Sequence, residues 1–227
     1  MSFTSTIPPT LLSLFTLIAT CEADTIIDFE SPLPGGLVPV SYIEDTPVTD
    51  QARITDQYGS LGVLMTNVAL VDLGLGHAPS GTNGIAGISA SGTVDYGSPV
   101  FFTFVDPLDN SVPSVIDHFA ISTDRAGGSF NTTTLSAFDI MGNFLGLVSA
   151  VETGGSVTLE LQGLGQIHMV EVSSTLMIHD NGGIGLDNLR FGAGDSAPVP
   201  ESSTYVFVSL GLVCLSWLRN HGKRRYA

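Results

Sequence analysis

Carboxylates dominate the side chains able to do chemistry in this 227-residue chain. There are 22 Asp and Glu against seven Lys and Arg, with five His and two Cys. Two carboxylates flanking a glycosidic bond hydrolyse it. Carboxylates gathered with carbonyl oxygens bind Ca²⁺, a hard cation that takes oxygen ligands. Asp28 and Glu30 stand two apart, so on a strand they share one face. Four histidines, His77, His118, His168 and His179, show no metal-ligand spacing in sequence, and each reads as a solitary strand or loop residue. Gly87-Ile88-Ser89-Ala90-Ser91 starts like a nucleophile elbow but ends in Ser where the motif needs Gly. No His-Glu-x-x-His, P-loop, dinucleotide fingerprint or EF-hand loop occurs. The reading is of a protein that is not an enzyme and has no catalytic residues. The alternative is a glycan hydrolase or lyase whose carboxylates are distant in sequence.

The elements available to position these groups are short strands. Apolar runs recur between clusters of Gly, Pro, Asn, Asp and Ser: Ile26–Phe29, Gly62–Met65, Val100–Val105, Ile116–Ser122, Thr133–Phe138, Phe144–Val151, Val157–Leu161, Ile167–Val172 and Ile184–Phe191. Val157, Leu159 and Leu161 alternate with Thr158, Glu160 and Gln162, which gives one dry and one wet face. Val100–Val105 is apolar on both faces and reads as a central strand. Asp139 to Asn143 reads as a hairpin loop, because Gly142 and Asn143 tolerate positive φ. No helical pattern separates the strands, which excludes a parallel βαβ sheet. The expected fold is all-β, an antiparallel two-sheet β-sandwich of jelly-roll type over residues 24–191. Both cysteines fall outside this span, so no disulfide supports it and its core must suffice.

The two ends read as addresses. Thr10 to Thr20 is an apolar run of signal-peptide length, followed by the small residue Ala23, so 1–23 is expected to be an export signal. Cys21 raises a lipoprotein signal as the rival reading, with Thr20 where a smaller residue is usual. Residues 192–204 form a Gly, Ala, Ser and Pro linker. The apolar run 205–218 is expected to be a transmembrane helix, and 219–227 a basic tail. Arg219, Lys223, Arg224 and Arg225 hold four of the seven bases. Basic residues flanking an apolar segment stay cytoplasmic. The rest of the chain has no basic face for phosphates, which excludes a nucleic-acid partner.

The C-terminal order is Val199-Pro200-Glu201, an apolar helix, then an arginine-rich end. It resembles the PEP-CTERM sorting signal of exported bacterial proteins. Ser202 stands where that motif has a second Pro. The resemblance implies an exosortase-type membrane protease as partner, anchoring through the C-terminal helix before processing, and an association with exopolysaccharide. The middle of the chain is similar to jelly-roll domains of such proteins and of carbohydrate-binding modules. That similarity lies in Ile27-Asp28-Phe29-Glu30, in Ser136 to Asp139 with Gly142-Asn143, and in Ile184 to Phe191. It implies neighbouring first and last strands with a structural Ca²⁺ between them, held by Asp28, Glu30 and Asp187. The expected function is that of a cell-envelope or extracellular-matrix protein, a weak carbohydrate-binding or structural module. Tyr42, Tyr58 and Tyr96 are the only tyrosines of the domain, which also lacks Trp. Stacking platforms for sugars are therefore few.

Overall fold

The computed structural model describes residues 24–30, 32–123, 132–151, 155–175 and 185–192. The expected export signal, linker, C-terminal helix and basic tail lie outside them, except for Gly192 of the linker, as do His179, Arg125 and both cysteines. Among the described residues no helix is long and apolar enough to cross a membrane.

The strands in chain order are β1 (Thr25–Ile27), β2 (Val40–Ser41), β3 (Arg53–Ile54), β4 (Val63–Thr66), β5 (Val68–Asp72), β6 (Asn83–Gly87) and β7 (Val100–Asp106). There follow β8 (Asp109–Pro113), β9 (Ile116–Thr123), β10 (Thr132–Phe138), β11 (Phe144–Val151), β12 (Thr158–Ile167), β13 (Met169–Thr175) and β14 (Leu186–Phe191). They form two sheets. One runs β12-β9-β14-β6-β5-β2, with β1 on β14 and β3 on β5. The other runs β11-β10-β13-β7-β4, with β8 on β7. The two-sheet β-sandwich expected from the sequence is therefore present. One pairing departs from the antiparallel rule: β2 lies parallel to β5, Val40 opposite Val71.

Period-two alternation makes the core. On β12, Leu159 and Leu161 are buried and Glu160 is exposed. On β7, Val100, Phe102 and Phe104 point inward, and β7 sits between β13 and β4. Phe102 and Phe104 of one sheet meet Phe119 of the other at 5.4 and 6.1 Å between ring centroids, and Phe104 meets Phe191 at 5.2 Å. Tilted and edge-on pairs of this kind add to the burial that joins the sheets. The hairpin at Asp139 forms as the sequence implies. The Asp139 carboxylate accepts the amides of Met141 and Asn143, each at 2.8 Å, and Gly142 takes φ 78°.

β2, β3, β5, β6 and β8 lie outside the nine apolar runs. β5 and β6 are covered on both faces. Val68, Leu70 and Ile85 belong to the main core, while Ala69, Val71 and Ala86 belong to a second, smaller one with Leu73, Ile88, Val94 and Tyr96. Such strands show no alternation to read. β8 carries Asp, Asn, Ser and Pro, turn residues in sequence, yet all of it is exposed at an edge where they are tolerated.

Candidate functional site

The opening and closing strands are neighbours: β1 pairs antiparallel with β14, with Ile26 opposite Arg190. β1 ends at Ile27, so Asp28 and Glu30 lie beyond it and not on a strand face. Phe29 explains why. It adopts φ 56°, unusual for a bulky residue, and its ring is buried edge-on to Tyr58 at 5.8 Å. Burying the ring holds the backbone in this conformation and swings Glu30 toward the segment before β6.

There both oxygens of the Glu30 carboxylate accept hydrogen bonds. Oε1 accepts the amides of Thr82 at 2.7 Å and Asn83 at 2.8 Å, and Oε2 accepts Asn83 Nδ2 at 3.2 Å. Asp187, on β14, is completely buried. Its Oδ2 accepts the Ser80 amide at 2.7 Å and its Oδ1 the Asn188 amide at 2.6 Å. The Ser80 hydroxyl donates to the Asp28 carbonyl at 2.9 Å, so one residue links Asp28 and Asp187. The Asp28 carboxylate instead accepts the Glu30 amide at 3.1 Å and closes a local turn. Gly84 lets the strands close here. A Cβ on it would meet the Leu186 carbonyl at 2.8 Å, which is backbone and cannot yield.

Burial pushes the Asp187 carboxyl above the ordinary carboxylate range, with the Glu30 charge adding to the effect and the amides of Ser80 and Asn188 opposing it. Tyr58 is pushed up to about 12, by burial and then by the charge of Asp28. The site is thus a pair of nearby carboxylates, one fully buried, with no Arg or Lys paired to either among the described residues. That uncompensated charge fits a hard cation. Among the described residues no three side chains of the His, Cys, Asp and Glu types are grouped to hold a metal.

A second polar constellation was not legible in sequence. Just before β1, Asp24 lies 3.2 Å from Arg190 Nη2 of β14 and 3.6 Å from His118 Nδ1 of β9. Glu160 lies 2.9 Å from His118 Nε2, but that nitrogen makes no hydrogen bond of acceptable geometry. His168 is tied to the Ser114 carbonyl through Nδ1 at 2.8 Å, far from a metal role. Of the three tyrosines only Tyr42 is exposed.

The chain matches no protein-family profile and no curated protein. Among solved structures it is similar to a DUF4465 family protein from Bacteroides caccae, at 12% identity over 79% of this chain and 96% of that one, with a TM-score of 0.38. A xylan-binding domain of family CBM22 is 14% identical over 62% of this chain and 92% of that one, with a TM-score of 0.34. The CBM22-1–GH10 modules of Clostridium thermocellum xylanase 10B, complexed with xylohexaose, are 12% identical over 68% of this chain and 29% of that one, with a TM-score of 0.32.

Proposed function

We propose that this chain is an exported bacterial envelope or matrix protein whose jelly-roll-like β-sandwich is a weak carbohydrate-binding or structural module, stabilised by Ca²⁺. One observation carries the reading. The first and last strands pair, and Glu30 and Asp187 close on the same Ser80–Asn83 segment. The pairing of first and last strands is what the resemblance of Ile27–Glu30 and Ile184–Phe191 to carbohydrate-binding jelly rolls implies; the meeting at Ser80–Asn83 goes beyond it. Glu30 and Asp187 hold the cation, with main-chain oxygens completing its shell. The cation's role is to neutralise a charge pair that the fold otherwise leaves uncompensated.

Affinity electrophoresis of the whole chain through neutral and acidic polysaccharide gels tests the module. Retardation without release of reducing ends supports it. Release of reducing ends identifies a hydrolase or lyase instead, and neither effect leaves no glycan role.

The sorting tail is part of the same proposal. Val199, Pro200 and Glu201 form the motif, the 205–218 helix anchors, and Arg219, Lys223, Arg224 and Arg225 retain the end in the cytoplasm until an exosortase-type protease acts. Deleting 199–227 is expected to release the protein into the medium. Unchanged location and mass after the deletion would refute the sorting role.

A further inference from the structure

The sequence contains 22 acids, and only two of its arginines fall among the described residues. Arg190 is paired with Asp24 at 3.2 Å. No carboxylate among the described residues lies within ion-pair distance of Arg53, although Asp56 is three residues away. Asp56 Oδ1 accepts the Thr55 hydroxyl at 3.0 Å instead. Meanwhile the Arg53 backbone is held on three sides. It pairs with Ala69 across β3 and β5, its amide donates to the Thr49 carbonyl at 3.2 Å, and its carbonyl accepts Gln57 Nε2 at 3.3 Å. The residue is half-buried, and among the described residues its guanidinium has no ion-pair or hydrogen-bond partner.

Arg53 lines a cleft of about 320 Å³ where the edges of the two sheets meet, β3 on one wall and β4 on the other. The Met65 amide donates to the Thr55 carbonyl at 2.7 Å and ties the walls together. Ligand clefts run from about 300 to 1,000 Å³, so this one is of single-residue size. Its chemistry is of three kinds. Arg53 offers a planar fork for a planar anion. Asp56 and Asn67 offer acceptors: one Asp56 oxygen is unused, and Asn67 spends its Nδ2 on the Pro99 carbonyl at 2.7 Å, which leaves Oδ1. Half-buried Leu64 offers an apolar surface.

A carboxylate, several hydroxyl donors and an apolar ring face occur together in a uronic acid residue. We infer that the β3–β4 cleft binds a uronate unit of an acidic polysaccharide, with its carboxylate on Arg53. This rests on the carbohydrate-binding reading and adds the class of glycan. The contact is short-range. The chain's charge of −15 repels a polyanion at distance, but at about 0.15 M salt charges further apart than about 8 Å are screened.

The test uses the full 227-residue chain in affinity electrophoresis at that salt. The matrices are polygalacturonate, its methyl ester and neutral xylan. Wild type should be retained more strongly by polygalacturonate than by the ester, which has the same backbone without the charge. Arg53→Gln should weaken polygalacturonate retention about tenfold or more, the usual loss for a hydrogen-bonded charge. It should leave xylan retention and the melting midpoint unchanged, since the side chain has no partner among the described residues. Arg53→Lys should fall between, keeping charge but not the fork. Equal retention by acid and ester, or unchanged retention of Arg53→Gln, overturns the uronate assignment while xylan retention upholds the module. Retention by none of the three overturns both.

Discussion

Glu30→Ala is expected to lower the melting midpoint by about 10 °C. The substitution removes one carboxylate but strands the amides of Thr82 and Asn83 together with Asn83 Nδ2. Hydrogen bonds to a charged group contribute about 1.5–3 kcal/mol each, discounted here because Glu30 is only half-buried, so a total of about 3 kcal/mol is reasonable. In a domain of this size each kcal/mol moves the midpoint by about 2–4 °C. Glu30→Gln keeps an acceptor for the two amides and should cost only about 1 kcal/mol. A midpoint for Glu30→Ala within 2–3 °C of wild type, on the same scale, would show that these bonds do not hold the junction.

The same pair of variants tests the cation. A ligand present at about a hundred times its Kd stabilises by about 2.7 kcal/mol, so Ca²⁺ should raise the wild-type midpoint by about 5–10 °C and chelator should reverse it. Both Glu30 variants should lose that response, Glu30→Gln while still well folded. No shift in wild type refutes calcium binding. The pH dependence has a definite sign. Because the folded Asp187 carboxyl sits above its ordinary value, its effect favours the fold below the unfolded value and is lost as pH rises through the raised one. Without Ca²⁺, acidification from neutrality toward that raised value should therefore stabilise the protein. With Ca²⁺ bound, ionised Asp187 is the favoured form and the gain should vanish. Asp109 and Asp139 oppose this trend, since hydrogen bonds from Ser111 and Asn143 hold them below the usual range and their contribution is lost on acidification.

Phe104→Ala should be strongly damaging, costing about 3–5 kcal/mol and about 10–15 °C. The ring is fully buried and touches Phe119 and Phe191, both in the opposite sheet. Its loss leaves a cavity between two layers whose backbones are each held by their own ladders. Phe104 donates its amide to the His168 carbonyl at 2.9 Å and accepts from the Ser114 amide at 3.0 Å, so the backbone cannot move in to fill the space. The cost then includes the cavity and not only the lost transfer energy. Phe104→Leu fills most of the volume and should cost about 1.5 kcal/mol or less. Urea unfolding measures both. A Phe104→Ala cost below 1 kcal/mol, against the usual 3–5, would mean that the sheets are not joined through this ring.

The two-layer β architecture was readable because alternation is local: each of the nine apolar runs overlaps a strand. Asp28 does not share a strand face with Glu30, because β1 ends at Ile27 and Phe29 takes positive φ. Ser80, Thr82 and Asn83 went unnoticed because a backbone amide has no signature in sequence. Their partners lie 52, 53 and 107 residues away.

By itself the sequence determined an acidic, cysteine-free, all-β domain, the Asp139 hairpin and the compositional contrast between the domain and its basic end. These follow from side-chain type and period, which act over a few residues. Only the tertiary structure decided that β5 and β6 are covered on both faces, that Glu30 and Asp187 converge while the Asp28 carboxylate turns away, and that Arg53 lines a cleft without an ion-pair partner among the described residues. Each depends on which distant strands become neighbours. Burial of the Phe104–Phe119–Phe191 cluster contributes to that choice across the whole sandwich.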